Sequence, residues 1–219
     1  MGQWPRRFCC DEELAFIGYD GRDAAKDLAA LRSGGPRPTT QELIDAIRAQ
    51  GVAGATVVDV GAGVGAVHVA LLEAGAARAI DVDASREYQA AARDEATRRG
   101  LVDRMTYRYG DLVELAAELP PADILTLDSV ICCYPYLPAL MTAVLSVGPR
   151  LVGLTYPRDV WWMRAYMRLY NLVHTFRRSP ARYFAHRHSQ LRNLMATRGY
   201  REVHDGGIPS WRVVLYARS

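Results

Sequence analysis

Twelve residues, Thr56 to Val67 (TVVDVGAGVGAV), constrain this chain more than any others. Thr56, Val57, Val58 and Val60 form a β-branched apolar run of the kind that fills a buried parallel strand. The run carries one acid, Asp59, and then breaks into Gly61-Ala62-Gly63-Val64-Gly65. Glycines allow a sharp turn and let backbone N–H groups approach a ligand, while the following helix points its positive end there. The stretch therefore predicts a strand, a ligand-binding loop and a helix in an α/β sheet. Gly61, Gly63 and Ala66 also satisfy the dinucleotide pattern G-x-G-x-x-G/A, so the loop alone leaves the nucleotide open.

The surrounding residues narrow it. Asp59 stands two places before the first glycine, giving D-x-G-x-G-x-G. Asp83 closes the next apolar run, Ala79 to Asp83, where an acid can accept from ribose hydroxyls. Lys26 is the only lysine, which excludes a Tyr-x-x-x-Lys pair, a P-loop lysine and a pyridoxal Schiff base. With these residues the sequence resembles the class I S-adenosylmethionine (SAM) dependent methyltransferases. The resemblance implies SAM as cofactor and S-adenosylhomocysteine as product. Asp59, Gly61, Gly63 and Gly65 would hold the amino-acid end. Asp83 and Ala84 would take the ribose, and Asp111 and Leu112 the adenine. Asp128 would face the methionine end and the substrate.

The order of elements agrees with that family. Strands are predicted at 56–60, 78–82, 104–109, 123–127 and 150–155, alternating with helices at 64–74, 86–99, 112–118 and 137–146. Such alternation means a parallel sheet with helices on both faces. The tail departs from it, with a helix at 188–198, strands at 200–204 and 211–217, and a turn at Gly206-Gly207. This predicts a seven-stranded Rossmann-like methyltransferase sheet with a terminal antiparallel hairpin. Residues 1–219 read as one domain, with an arm and helices over 1–53 ahead of the first strand. Thr39 or Thr40 is the expected N-cap of the second helix. Residues 157–187 are an insert, read as a helical lid with Arg164, Arg168, Asn171, Thr175 and Arg178 on one side. Trp161, Trp162, Tyr166, Leu169, Tyr170, Val173 and Phe176 form its apolar side.

Charge is uneven. The net value is +3, yet Arg158 to Arg201 holds ten arginines against Asp159 alone, a local surplus of nine that leaves the remainder at −6. Such a block suits anionic partners or a carboxylate acceptor, with which arginine pairs bidentately. No run reaches membrane-span length and the start lacks a signal core, so the expected location is cytoplasmic, with peripheral membrane contact an option through the insert. Nucleic acid is a less favoured partner.

Methyl transfer is an in-line displacement, so the protein mainly supplies alignment, with a base where the acceptor is a hydroxyl. Tyr134 and His174 are the catalytic candidates, with His186 and His188 behind them. Leu127-Asp128-Ser129-Val130-Ile131, followed by Tyr134-Pro135, is similar to the magnesium-protoporphyrin O-methyltransferase type. A small organic acceptor methylated at oxygen is expected. No Asn-Pro-Pro-Tyr or Pro-Cys follows the fourth strand, which disfavours nucleobase amines and cytosine carbon. No metal site is expected, because Cys9-Cys10 and Cys132-Cys133 lack zinc-ribbon spacing. Three alternatives stay open: a SAM-binding scaffold or rearrangement catalyst, thiol-dependent metalloid methylation, and RNA or protein methylation through the basic segment.

Overall fold

Thr56–Val60 (β1) lies between Arg78–Asp83 (β2) and Ile124–Asp128 (β4), parallel to both. This is the frame of a computed structural model that describes residues 21–177 and 182–219. Met105–Tyr109 (β3) extends the sheet beyond β2, and Leu151–Pro157 (β5) pairs parallel with β4. Tyr200–Gly207 (β6) and Trp211–Arg218 (β7) form the antiparallel ending, with β7 inserted beside β5. The strand order is β3-β2-β1-β4-β5-β7-β6. The winding reverses between β1 and β4, where open α/β sheets form a crevice beyond the strand ends.

The helices follow the predicted alternation: Gly21–Gly34 (α1), Pro38–Ala49 (α2), Ala66–Glu73 (α3), Arg86–Arg98 (α4), Leu112–Leu115 (α5), Leu137–Ser146 (α6), Trp161–Phe176 (α7) and His188–Ala196 (α8). Alternation along β1 divides the core. Val58 and Val60 face Leu125, Leu127, Leu140 and Met141 on one side. Val57 faces Leu43, Ile44, Ile47 and Leu71 on the other. Helix α2 sits so close to β5 that a Cβ at Gly153 would come within 2.8 Å of Leu43 Cδ1.

Four local expectations need correction. Helix α2 begins at Pro38, because proline suits the first helical turn, so Thr39 and Thr40 are buried inside the helix and cap nothing. Gly206 and Gly207 belong to β6, and the reversal falls at Ile208–Ser210. The predicted 112–118 helix is one α turn followed by a 3-10 turn over Ala116–Glu118. In α7 the buried side chains are Met163 and Met167, whereas Trp161, Leu169 and Phe176 face solvent. Cys9, Cys10 and Arg178 lie outside the described residues.

Candidate functional site

The loop after β1 is built on left-handed glycines. Gly61, Gly63 and Gly65 have φ values of 58°, 56° and 83°, a region that only glycine occupies without strain. Two of them are also closely packed: a Cβ on Gly61 would lie 2.5 Å from Val130, and one on Gly65 2.5 Å from the His68 ring. Gly61 N–H donates to Val82 O and Gly65 N–H to Ala62 O, which closes the turn against β2.

Asp83 ties the loop to the end of β2. Its Oδ2 accepts from Gly63 N–H at 3.1 Å and its Oδ1 from Ser85 N–H at 2.8 Å. Ser85 in turn caps α4 through Tyr88 N–H, and Ala84 is the half-buried residue between them. Burial pushes the Asp83 carboxyl up to about 6, with the Ser85 and Gly63 N–H groups resisting.

Asp59 is 1% exposed. Its Oδ1 accepts from Thr126 Oγ1 at 2.7 Å, and its Oδ2 lies 3.0 Å from His68 Nδ1 and accepts from the His68 N–H. Both oxygens are thus occupied beneath the loop, so Asp59 supports the loop from below instead of facing a ligand. Next to it in register stands Asp81, fully buried, and then Tyr107. Among the described residues, neither Asp81 oxygen, nor the Tyr107 hydroxyl, nor His68 Nε2 finds a hydrogen-bond partner. Burial drives the Asp81 carboxyl to about 9, and the charges of Asp83 and Asp59 add to the rise.

At the end of β3, Asp111 Oδ1 accepts from Val113 N–H as the cap of α5, and Oδ2 accepts from the Tyr134 hydroxyl at 3.0 Å. Leu112, expected on the adenine ring, is 1% exposed and belongs to the core with Leu140 and Met141. The α5 turn directs it inward, and Val113 is the apolar side chain left at that surface.

The end of β4 gathers a polar group that the motifs did not announce. Asp128 Oδ2 accepts from Thr40 Oγ1 at 2.6 Å, and its Oδ1 from Thr155 Oγ1. Arg37 reaches in with a guanidinium nitrogen 3.8 Å from Asp128 and 3.4 Å from Ser129 Oγ. Ser129 has φ 66°, the one positive value among described non-glycine residues. Such strain in a serine concentrates at functional sites. Nothing in the sequence grouped Arg37, Thr40, Ser129 and Thr155, because they come from three distant segments.

Phe184 and His186 bond to the loop after β4. Phe184 N–H donates to Cys132 O at 2.7 Å and His186 Nε2 lies 2.8 Å from Tyr134 O. Asn171 bonds the Tyr183 backbone twice, at 2.8 Å each. His174 stacks on Tyr170 at 4.0 Å, and Tyr170 packs on Tyr183 at 4.6 Å. Of the two catalytic candidates, Tyr134 is bonded to Asp111 and His174 stacks on Tyr170. Cys132 is buried with its thiol 3.8 Å from that of Cys133, and the Cys133 contact with burial holds it well above the usual range. His188, Glu202 and Asp205 converge elsewhere, where Asp205 is held by Arg212 and His188 by Tyr156.

Loop, strand order and terminal hairpin together match solved proteins along nearly the whole chain. A magnesium protoporphyrin IX methyltransferase from Synechocystis, crystallised with SAH, superposes with a TM-score of 0.69 at 19% identity, covering 91% of this chain and 94% of that one. An O-methyltransferase family protein from Burkholderia thailandensis gives 0.68 at 17%, covering 94% and 62%. Residues 57–147 match the methyltransferase domain family model. The matched domain and the fold both support a class I SAM-dependent methyltransferase.

Curated relatives match less than half of this chain. Ribosomal protein L11 methyltransferase of Alteromonas mediterranea is 37% identical over 106 residues, covering 46% of this chain and 36% of that protein. The Serratia proteamaculans enzyme is 35% identical over 108 residues, covering 46% and 37%. The chain thus spans little more than a third of the length of these relatives. The donor set also fits SAM: Asp83 and Asp128 end β2 and β4, and Asp111 follows β3, around a glycine loop. Carboxylates there favour a cationic ligand and oppose a pyrophosphate.

Proposed function

We propose that this chain transfers a methyl group from SAM to the oxygen of a small organic acceptor. The observation that carries the reading is the Asp83 carboxylate bonded to Gly63 N–H at 3.1 Å, which joins the glycine loop to a ribose-accepting acid. Gly61, Gly63 and Gly65 would admit the amino-acid end, Asp83 with Ala84 the ribose, Asp111 the adenine edge, and Asp128 the sulfonium side. Asp59 would hold the loop through His68 and Thr126. The cofactor, when bound, supplies an already activated methyl carbon.

The chain's own work is then alignment and exclusion of water. Tyr170 and Tyr183, packed together at 4.6 Å, would suit a planar or apolar acceptor. Arg37, at the mouth beside Asp128, would steer an acceptor that carries a carboxylate. The engagement of Tyr134 with Asp111 favours an acceptor oxygen that is already ionised, for which no base is needed.

Calorimetric titration with SAM and SAH tests the reading. Micromolar binding that falls at least tenfold in Asp83→Ala is the expected result. Absence of binding to the wild-type protein would sink it. SAM binding with no methylated product from any carboxylate, phenol or protein acceptor would leave only the scaffold reading. Likeness along nearly the whole chain to the protoporphyrin enzyme favours a small acceptor, whereas the likeness to the L11 methyltransferases covers less than half of the chain.

A further inference from the structure

Helix α7 is turned the wrong way for a helix of a water-soluble core. Its inward side is narrow: Met163 and Met167 are buried, with Tyr170 and His174 following at helical spacing. Trp161, Leu169, Leu172 and Phe176 fall on the opposite side as one stripe and are 80%, 60%, 52% and 80% exposed. Trp162, Tyr166 and Val173 widen it. Seven of the nine large apolar side chains exposed among the described residues are on this one helix. Patches of this kind mark interaction sites, since single exposed apolar residues are ordinary but contiguous ones are not.

The charge around the stripe selects the partner. Helix α7 contains no acid, and Arg164 and Arg168 lie along one edge of the stripe with Arg177 beyond its end. Asp159, bonded to Arg164 at 2.6 Å, is the only acid from Arg158 to Arg201. A second copy of the chain meeting this face symmetrically would set these arginines against each other. The middle of the stripe is aliphatic, which offers nucleic-acid bases little to stack on. An apolar face with tryptophan and a flank of arginines instead matches a helix lying in the plane of a bilayer surface, with cationic side chains at headgroup level.

We propose that α7 is a docking helix for anionic lipid bilayers. Its 16 residues would lie along about 24 Å of the interface. The helix is held to the body by its opposite side and by Asn171, so no refolding is required to present it. The inference is independent of methyl transfer, because it concerns a surface and not the loop after β1.

The test is co-sedimentation of the full chain, without cofactor, with phosphatidylcholine vesicles and with vesicles that also contain phosphatidylglycerol. Binding to the anionic vesicles is expected, with a blue shift of tryptophan emission. The double variant Leu169→Glu with Phe176→Glu should weaken binding by about tenfold or more. Arg164→Gln with Arg168→Gln should weaken it only where phosphatidylglycerol is present. Circular dichroism checks that both variants remain folded. Wild-type protein that stays in the supernatant would overturn the proposal. So would a Leu169→Glu, Phe176→Glu protein that sediments like wild type. A dimer that this variant dissociates, or an RNA oligonucleotide that binds the patch in place of vesicles, would assign the face to another partner and equally overturn it.

Discussion

The hydroxyl of Tyr134 donates to Asp111 Oδ2 at 3.0 Å, so a residue expected to act on the acceptor instead holds one expected to act on the cofactor. Removing it should therefore move cofactor affinity. For Tyr134→Phe, SAM binding is expected to weaken about fivefold, the scale of one hydrogen bond. The maximal rate with a saturating acceptor should change little. A kcat that collapses while Kd is unchanged would return Tyr134 to the role of a base.

Gly61→Ala combines a positive φ with a 2.5 Å approach to Val130. A loss of about 2–4 kcal/mol is expected, with weaker SAM binding, because the loop must shift. Adding Val130→Ala removes the contact but not the backbone strain, so it should restore part of the loss. Full restoration, read from urea unfolding, would mean that φ at position 61 contributes nothing.

Asp81 gives a stability profile with a definite sign. Its carboxyl titrates near 9 in the folded chain, above its ordinary value near 3.8. In that window the folded state keeps a proton that the unfolded chain has released. Stability therefore falls as pH rises from about 5 toward 9, at up to about 1.4 kcal/mol per pH unit from this group. Asp81→Asn should flatten the slope. Parallel slopes for the two proteins would show that Asp81 is ionised in the fold.

Glu95 behaves in the opposite sense. Its buried carboxylate accepts from Arg98, Arg32 and Arg99, and the arginines, Arg98 foremost, bring it down to about 2. Its contribution is present above the ordinary carboxylate range and is lost as pH falls toward 2. Glu95→Gln should cost about 1–3 kcal/mol at neutral pH, with α1 loosening first because Arg32–Glu95 is one of its ties to α4, beside Arg32–Asp94 and Asp27–Tyr88. Equal acid melting of variant and wild type would refute this.

The parts of the fold legible in the sequence were those where one local rule dominates. The β-branched runs placed β1 and β2, and the acids closing them marked the ligand end of the sheet. Position within a periodic helix was legible too, but not which side packs. In α7 both Met163-Met167 and Trp161-Leu169-Phe176 recur at helical spacing, and apolar area alone favoured the second. The fold buries the first. Leu112 was misread for a related reason: a motif gives the residue after the acid, whereas the direction of its side chain follows from the one-turn helix capped by Asp111. The Asp128 group was invisible because Thr40 and Thr155 meet it across 88 and 27 residues.

The strand order has a consequence for how the molecule is made. Leu43, Ile44 and Ile47 on α2 pack against Val213 and Leu215 of β7. Glu42 on the same helix accepts from Gly207 N–H, 165 residues away. A helix that precedes β1 is thus covered by a strand that follows every other strand described. Until β7 is made, β5 lacks its outer neighbour and α2 its cover. Closure of the sheet must await β7, and it has to bridge a sequence separation that makes folding slow. Deleting β7 should therefore leave a chain that cannot bury α2, however intact the glycine loop is in sequence.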